Sequence, residues 1–276
     1  MIAGQTLRTL IGRVPVLAPG QVWLAGAGPG DPAHLTLHAL AGLLQADVIV
    51  YDALVDRRVL DLAPASAERV FAGKRGGKPS VEQADIAETL IALARGGKRV
   101  LRLKGGDPCV FGRGGEEMLS LAQAGIPFRV VPGLTAGLAA MALALIPATM
   151  RGVNQAIVFV TGHCGDGGEE IDWAVLARLG QPIVLYMGMR TLGTVAAALI
   201  GGGLDPATPA AAIASAATPE QRIVVSPLAQ LEEAVQQAGL HPPVITVIGG
   251  IVTMRARLRA LIPVAAEHMA WLDEGC

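Results

Sequence analysis

Short apolar runs, separated by stretches with helical spacing, constrain this chain more than any other feature. Val22 to Ala25, Val48 to Tyr51, Val70 with Phe71, Val100 to Leu103 and Phe128 to Val131 are largely apolar and too short for helices. Between the first two, Leu35, Leu37, Leu40, Leu43 and Leu44 recur at helical spacing. Ile86, Leu90, Ile91 and Leu93 do so before a Gly96-Gly97 stop. Val59 to Leu62 reads as a helical turn, Ser80 with Gln83 resembles a capping box, and Glu116 to Ala124 reads as a helix. Alternating strands and helices predict an α/β fold with a parallel sheet and helices on its faces. Strands apolar on both sides fit a sheet buried on both faces.

The second half has a different rhythm. A helix is expected over 134–150, ending near Pro147. Strands are expected at Ala156 to Val160, Pro182 to Tyr186, Pro209 to Ile213, Arg222 to Val225 and Val244 to Ile248, with helices from Thr191 to Leu199 and from Leu228 to Ala238. Several of these strands lack a long helix between them, so this half mixes antiparallel pairs. The expected organisation is a tail (1–20), an α/β domain (21–133), a second, unlike α/β domain (134–262) and a tail (263–276).

Composition excludes some classes. Net charge is −1, with 22 basic and 23 acidic residues, so no bulk basic face is expected for nucleic acid. The three cysteines, Cys109, Cys164 and Cys276, form neither a metal motif nor a disulfide framework, which fits a reducing cytoplasm. The five histidines show no metal-ligand spacing with a third ligand. The segment from Met1 to Gly20 has no long apolar centre and reads as a tail and not as a signal peptide. The uncharged run from Val130 to Met150 is interrupted by Pro132, Gly133 and Pro147, too often for a membrane span of about 20 residues. No membrane association is expected.

The chemistry concentrates in Lys104-Gly105-Gly106-Asp107-Pro108-Cys109-Val110-Phe111-Gly112-Arg113-Gly114-Gly115-Glu116-Glu117, which follows a strand. A charged, glycine-rich loop at a strand's carboxyl end is where open α/β folds bind ligands, and its glycines permit sharp bends and close backbone approach. Gly26-x-Gly28 before a helix resembles a dinucleotide fingerprint, with Asp47 and Asp52 about 20 residues on. Yet Asp31 occupies the third glycine's place. A carboxylate there repels a pyrophosphate and caps the helix instead. Asp52 closes a strand and is either a surface turn residue or a base facing a cleft. Lys74 to Lys78 is either a solvated turn or a clamp for an anion. Cys109 raises the question of a nucleophile, but no histidine adjoins it, and Val110 beside it suggests packing.

These residues resemble a known family. Val22-Trp23-Leu24-Ala25-Gly26-Ala27-Gly28-Pro29-Gly30-Asp31-Pro32, Ala46-Asp47-Val48-Ile49-Val50-Tyr51-Asp52-Ala53-Leu54-Val55 and Gly73-Lys74-Arg75-Gly76-Gly77-Lys78 are similar to tetrapyrrole methylases. So are Val131-Pro132-Gly133-Leu134-Thr135-Ala136, Thr161-Gly162-His163 and Tyr186-Met187-Gly188. The Gly105 to Glu117 loop points to the uroporphyrinogen-III C-methyltransferase branch. The resemblance covers about residues 21 to 262. It implies the two-domain tetrapyrrole methylase fold, with the active site in the cleft between two unlike α/β domains, in a cytoplasmic homodimer. The implied reaction moves methyl groups from two S-adenosylmethionine molecules to carbons 2 and 7 of uroporphyrinogen III. It gives precorrin-2 and S-adenosylhomocysteine, needs no metal, and serves cobalamin or siroheme synthesis. No dehydrogenase or ferrochelatase sequence accompanies these motifs, which sets the expectation of a lone methyltransferase.

By family position, Asp52 is the implied base and Lys74 the implied proton donor. Pro29, Gly105, Gly106, Asp107, Val110, Thr135, Ala136, Met187 and Ala216 are the implied donor contacts. Arg75, Lys78, Arg113 and Arg151 are expected to meet the acceptor's eight carboxylates, which arginine can pair bidentately. A sulfonium donor without phosphates explains why Asp31 and Asp107 are tolerable. Three positions depart from the pattern: Cys109 stands in place of Phe, Met150 in place of His, and Ala216 in place of a glycine.

Overall fold

The computed structural model describes residues 9–10, 12–73, 83–163 and 171–262. The chain divides into two compact units between Ala136 and Gly137.

The first unit is a five-stranded sheet in the order β3-β2-β4-β1-β5. Its strands are β1 (Val22–Gly26), β2 (Val48–Tyr51), β3 (Glu68–Phe71), β4 (Val100–Lys104) and β5 (Phe128–Val131). Every pairing is parallel. The helices are α1 (Leu37–Gln45), the single turn α2 (Arg57–Leu60), α3 (Gln83–Arg95) and α4 (Gly114–Gln123). Alternation along the strands sorts the core into two layers. Trp23, Ala25, Ile49, Leu101 and Leu103 pack with Leu43 of α1 and Val59 of α2. Val22, Leu24, Val48, Val50 and Val100 pack with Leu90 of α3 and Leu121 of α4. Each fully buried leucine or isoleucine contributes about 2 kcal/mol. The expected parallel sheet with two covered faces is present. The capping box expected at Ser80 lies outside the described residues.

The second unit holds α5 (Ala136–Leu143, whose first residue closes the first unit), β6 (Val158–Thr161), α6 (Trp173–Leu179) and β7 (Ile183–Tyr186). It continues with α7 (Leu192–Gly201), β8 (Pro209–Ala214), β9 (Arg222–Pro227), α8 (Leu231–Gln237), β10 (Val244–Ile248) and α9 (Thr253–Leu261). The sheet order is β6-β7-β10-β8-β9. β6 and β7 are parallel, while β10 runs against both β7 and β8, and β9 runs against β8. The mixed sheet expected from the missing crossover helices is therefore observed. One face buries Ile183, Leu185, Ala210 and Ala212 against Leu192, Val195 and Leu199 of α7 and Leu231 and Val235 of α8.

Two expected helices need correction. The helix expected over 134–150 ends at Leu143. Leu145 turns left-handed at φ 56, and the Ile146 N–H bonds back to the Met141 carbonyl at 2.8 Å. This Schellman-type stop acts before Pro147 is reached. The helix expected over 228–238 opens as a 3-10 turn, Leu228–Gln230, and becomes α-helical only at Leu231. Helices α6 and α9 were not anticipated. α6 carries readable signals, since Asp172 caps it by accepting from the Val175 N–H at 3.0 Å and Gly180 closes it at φ 65. Among the described residues, no helix is long and apolar enough to cross a membrane.

Candidate active site

In a parallel sheet all carboxyl ends share one edge, so the turns after β1, β2, β4 and β5 are neighbours. Three glycines weld the turns after β1, β4 and β5. A Cβ on Gly26 would stand 2.5 Å from the Gly106 carbonyl oxygen and 2.5 Å from the Gly133 Cα. A Cβ on Gly133 would strike the same Gly106 oxygen. Gly28 and Gly106 then pair as a short antiparallel bridge, with N–H···O distances of 3.2 and 2.7 Å. This junction places Pro29, Gly105, Gly106, Asp107, Thr135 and Ala136 together. A Cβ on Gly106 would lie 3.5 Å from the Ala136 nitrogen. Space at Gly106 is therefore ordinary, and what demands glycine there is its φ of 70°.

Asp107 is a tether. Its Oδ1 accepts from the Cys109 N–H at 2.7 Å and its Oδ2 from the Gly133 N–H at 3.0 Å. The carboxylate therefore ties the central loop to itself and to the turn after β5. Pro108 is the loop's pivot: its carbonyl accepts from the Gly114 N–H at 3.0 Å, and a Cβ on Gly112 would meet it at 2.8 Å. Val110 is half-buried and Thr135 buried. Cys109, expected to pack, is exposed. Partial burial and the nearby Asp107 carboxylate push its thiol up, which disfavours a thiolate nucleophile. Arg113 stands left-handed (φ 56) at the start of α4 and is clasped by Glu116 at 2.9 and 2.5 Å. That partner holds the Glu116 carboxyl below, and the Arg113 guanidinium above, their ordinary values.

Asp52 follows β2. Its Oδ1 accepts from the Leu54 N–H at 3.0 Å in an Asx turn, and Leu54 packs where a Cβ on Gly105 would come within 2.7 Å. The Oδ2 lies 3.9 Å from Nη2 of Arg102. Arg102, Lys104 and Glu117 form a buried charged group that the sequence reading missed. Glu117 Oε1 accepts from Lys104 Nζ at 2.8 Å and Arg102 Nε at 3.2 Å. Burial, then the Arg102 charge, pushes the Lys104 ammonium below its ordinary value, against the pull of Glu117 and Asp52. The available signal was two cations two residues apart in an otherwise buried strand, a pattern that demands a partner because each unpaired buried ion costs several kcal/mol.

Other expected residues lie elsewhere. Asp31 caps a 3-10 turn by accepting from the Ala33 N–H at 2.8 Å, as anticipated. Asp47 sits at the opposite, amino end of β2, where Arg99 clasps it at 2.6 Å; Arg99's hydrogen bonds hold its carboxyl down at about 2. Arg151 is exposed on a turn organised by Asn154, which bonds the Met150 N–H and the Ala148 and Ala156 carbonyls. Lys74, Arg75 and Lys78 lie outside the described residues.

In the second unit, β6, β7 and β8 share one direction, so Gly162, Met187 and Ala216 follow carboxyl ends at one edge of that sheet. Met187 has φ 53 and is half exposed. Ala216 is buried, between Ser215 (φ 48) and Ala217 (φ 63). Left-handed residues other than glycine are strained and collect at functional sites. The Tyr186 hydroxyl accepts from the Gly137 N–H at 2.9 Å and pins α5 to β7. Among the described residues, no three His, Cys, Asp or Glu side chains cluster to hold a metal.

A parallel sheet with a glycine-welded carboxyl edge, followed by a mixed α/β unit, defines a class. Residues 21–232 match the tetrapyrrole (corrin/porphyrin) methylases, and the chain belongs to that family. It is 53% identical to a uroporphyrinogen-III C-methyltransferase of a Sinorhizobium species over 90% of both chains. It is 45% identical to a siroheme synthase of Pseudomonas putida over 93% of its own length but only 55% of that protein's, about half. Its fold superposes on a uroporphyrin-III C-methyltransferase of Thermus thermophilus complexed with S-adenyl homocysteine, with TM-score 0.73, 40% identity, and 84% and 99% of the two chains covered.

Proposed function

We propose that this chain is an S-adenosylmethionine-dependent methyltransferase acting on uroporphyrinogen III, methylating carbons 2 and 7 to give precorrin-2 for cobalamin or siroheme synthesis. The observation that carries this reading is the 53% identity to a uroporphyrinogen-III C-methyltransferase across nine-tenths of both chains. The glycine junction supports it. The bare backbone at Gly105 and Gly106 and the half-buried Pro29 and Ala136 offer close contacts for an adenosine, while the Asp31 and Asp107 carboxylates disfavour a phosphate. Bound there, the donor supplies an electrophilic methyl group. Pro29, Gly105, Gly106, Asp107, Val110, Thr135 and Ala136 are the first unit's proposed donor contacts, Asp107 by shaping the loop; Met187 and Ala216 are the second unit's. Positioning donor and acceptor supplies much of the rate of such a bimolecular step.

Attack by a pyrrole carbon leaves a cationic ring that must lose a proton. Asp52 is the proposed base, Lys74 the proposed proton donor, and Arg75, Lys78, Arg113 and Arg151 the proposed partners of the acceptor's carboxylates. The domain bounds 21–133 and 134–262, the homodimer and the cytoplasmic setting belong to the same reading. Purified protein, uroporphyrinogen III and labelled donor under anaerobic conditions should yield a dimethylated product; none would sink the proposal. Asp52→Asn should lower turnover by about 10²- to 10⁴-fold while S-adenosylhomocysteine affinity, measured by calorimetry, stays put. Equal loss of both would make Asp52 a shaper of the donor site.

A further inference from the structure

The first unit buries two cations and a carboxylate that the proposed reaction does not use. Arg102 and Lys104 are two apart on β4 and so leave the strand on the same face. Arg102 is 2% exposed, Lys104 4% and Glu117 0%. Glu117 reaches them from the first turn of α4, where one oxygen serves both. Counted as ions, these three side chains leave one positive charge over. The carboxylate that meets it is Asp52, with Oδ2 3.9 Å from Arg102 Nη2.

The guanidinium is not free to swing. Its Nε is held by Glu117, and its Nη1 donates to the Val50 and Leu103 carbonyls at 3.4 and 3.3 Å. A planar fork fixed on two sides presents its third corner in one direction. Asp52 is held on its other oxygen by the Leu54 N–H. Its side chain is 24% exposed, so it is the member of the chain of charges that reaches the surface of the unit.

We infer that Arg102, locked by Glu117 and the Val50 and Leu103 carbonyls, is a positioning residue that aims the Asp52 carboxylate for proton removal. This rests on Asp52 being the base of the reaction proposed above. The duller alternative is that the cluster only fastens α4 to the sheet.

The two differ in what Arg102→Met does to the full-length enzyme. Single-turnover and steady-state assays with uroporphyrinogen III and labelled donor would compare wild type, Arg102→Met, Arg102→Lys and Asp52→Asn, and the pairs with Asp52→Asn. A positioning role predicts that Arg102→Met lowers kcat by about ten- to a hundredfold, with KM and S-adenosylhomocysteine affinity changed by less than about twofold. Arg102→Lys should recover part of the loss. In the Asp52→Asn background, neither Arg102 substitution should cost anything more. The same fold-loss with and without Asp52, an unchanged kcat, or a parallel fall of kcat and S-adenosylhomocysteine affinity would each overturn the inference. Should Arg102→Met fail to fold, Arg102→Lys carries the same cycle, since it keeps the buried charge and loses the fork. A wild-type enzyme that transfers no methyl group to uroporphyrinogen III fails the functional reading before any variant is compared.

Discussion

In the first sheet every strand runs the same way; in the second, β9 and β10 run against β6, β7 and β8. The turns at the two carboxyl edges are built differently. In the first unit Gly26, Gly106 and Gly133 meet backbone to backbone. In the second, Met187, Ser215 and Ala217 hold left-handed backbone while keeping their side chains. Each such residue costs about 1 kcal/mol that glycine would not. Close approach of main chains leaves no choice but glycine. Left-handed strain is not confined to the second edge, since Phe111 and Arg113 hold the same backbone in the loop after β4. The first edge joins three strands' turns through glycine, whereas at the second a single glycine contact, Gly162 against Gly188, stands beside three left-handed residues that keep their side chains.

The strongest way to break this contrast is to add one methyl group to each edge. Gly133→Ala drives a Cβ into the Gly106 carbonyl and the Gly26 Cα, and neither can move without moving a strand. It should cost about 3 kcal/mol or prevent folding. Gly188→Ala meets the Leu185 side chain first and should cost about 1–2 kcal/mol as that leucine repacks. Denaturant unfolding of the two variants checks the order, and equal losses would dissolve the distinction.

A gentler probe concerns strain alone. Gly106→Ala has room but the wrong φ, so it should cost about 1 kcal/mol and weaken S-adenosylhomocysteine binding a few-fold. Ala217→Gly, the reverse change in the second unit, should alter stability by less than about 0.5 kcal/mol, because relief of strain is offset by glycine's greater freedom when unfolded. Thermal melts of both, with calorimetry for the first, decide whether the left-handed positions differ as described.

A small, pH-dependent effect belongs to the opposite end of the first sheet. Arg99 holds the Asp47 carboxyl at about 2, against 3.8 ordinarily. A depressed carboxylate stabilises the fold above its unfolded value, and that contribution is lost as pH falls through the folded one. Both partners are a third or more exposed, so screening limits the pair to under about 1 kcal/mol. Asp47→Asn should therefore melt slightly lower than wild type above about pH 5, with the gap closing toward pH 2. A gap that persists in acid would mean that Asp47 acts through something other than its charge.

Much of this protein can be read without coordinates. Four- and five-residue apolar strands with helices between them dictated the parallel sheet, because such strands must bury both faces. The lack of crossover helices foretold the antiparallel pairs of the second unit. Asp31 was legible as a cap, and the glycine-rich stretch after β4 as a site, because turn chemistry is local. What needed the tertiary structure is contact between residues far apart in sequence. Asp107 holding Gly133, Leu54 filling the space beside Gly105, and Arg102 standing between Glu117 and Asp52 depend on which strands are neighbours, and the order β3-β2-β4-β1-β5 is a property of the packed sheet. Leu145 is a different case, since its left-handed turn ends α5 before Pro147 can through hydrogen bonds only three and five residues long, a local stop carried by a residue that does not advertise it. Local propensity sets where elements begin. Long-range packing decides which strands are neighbours and which charges they bury.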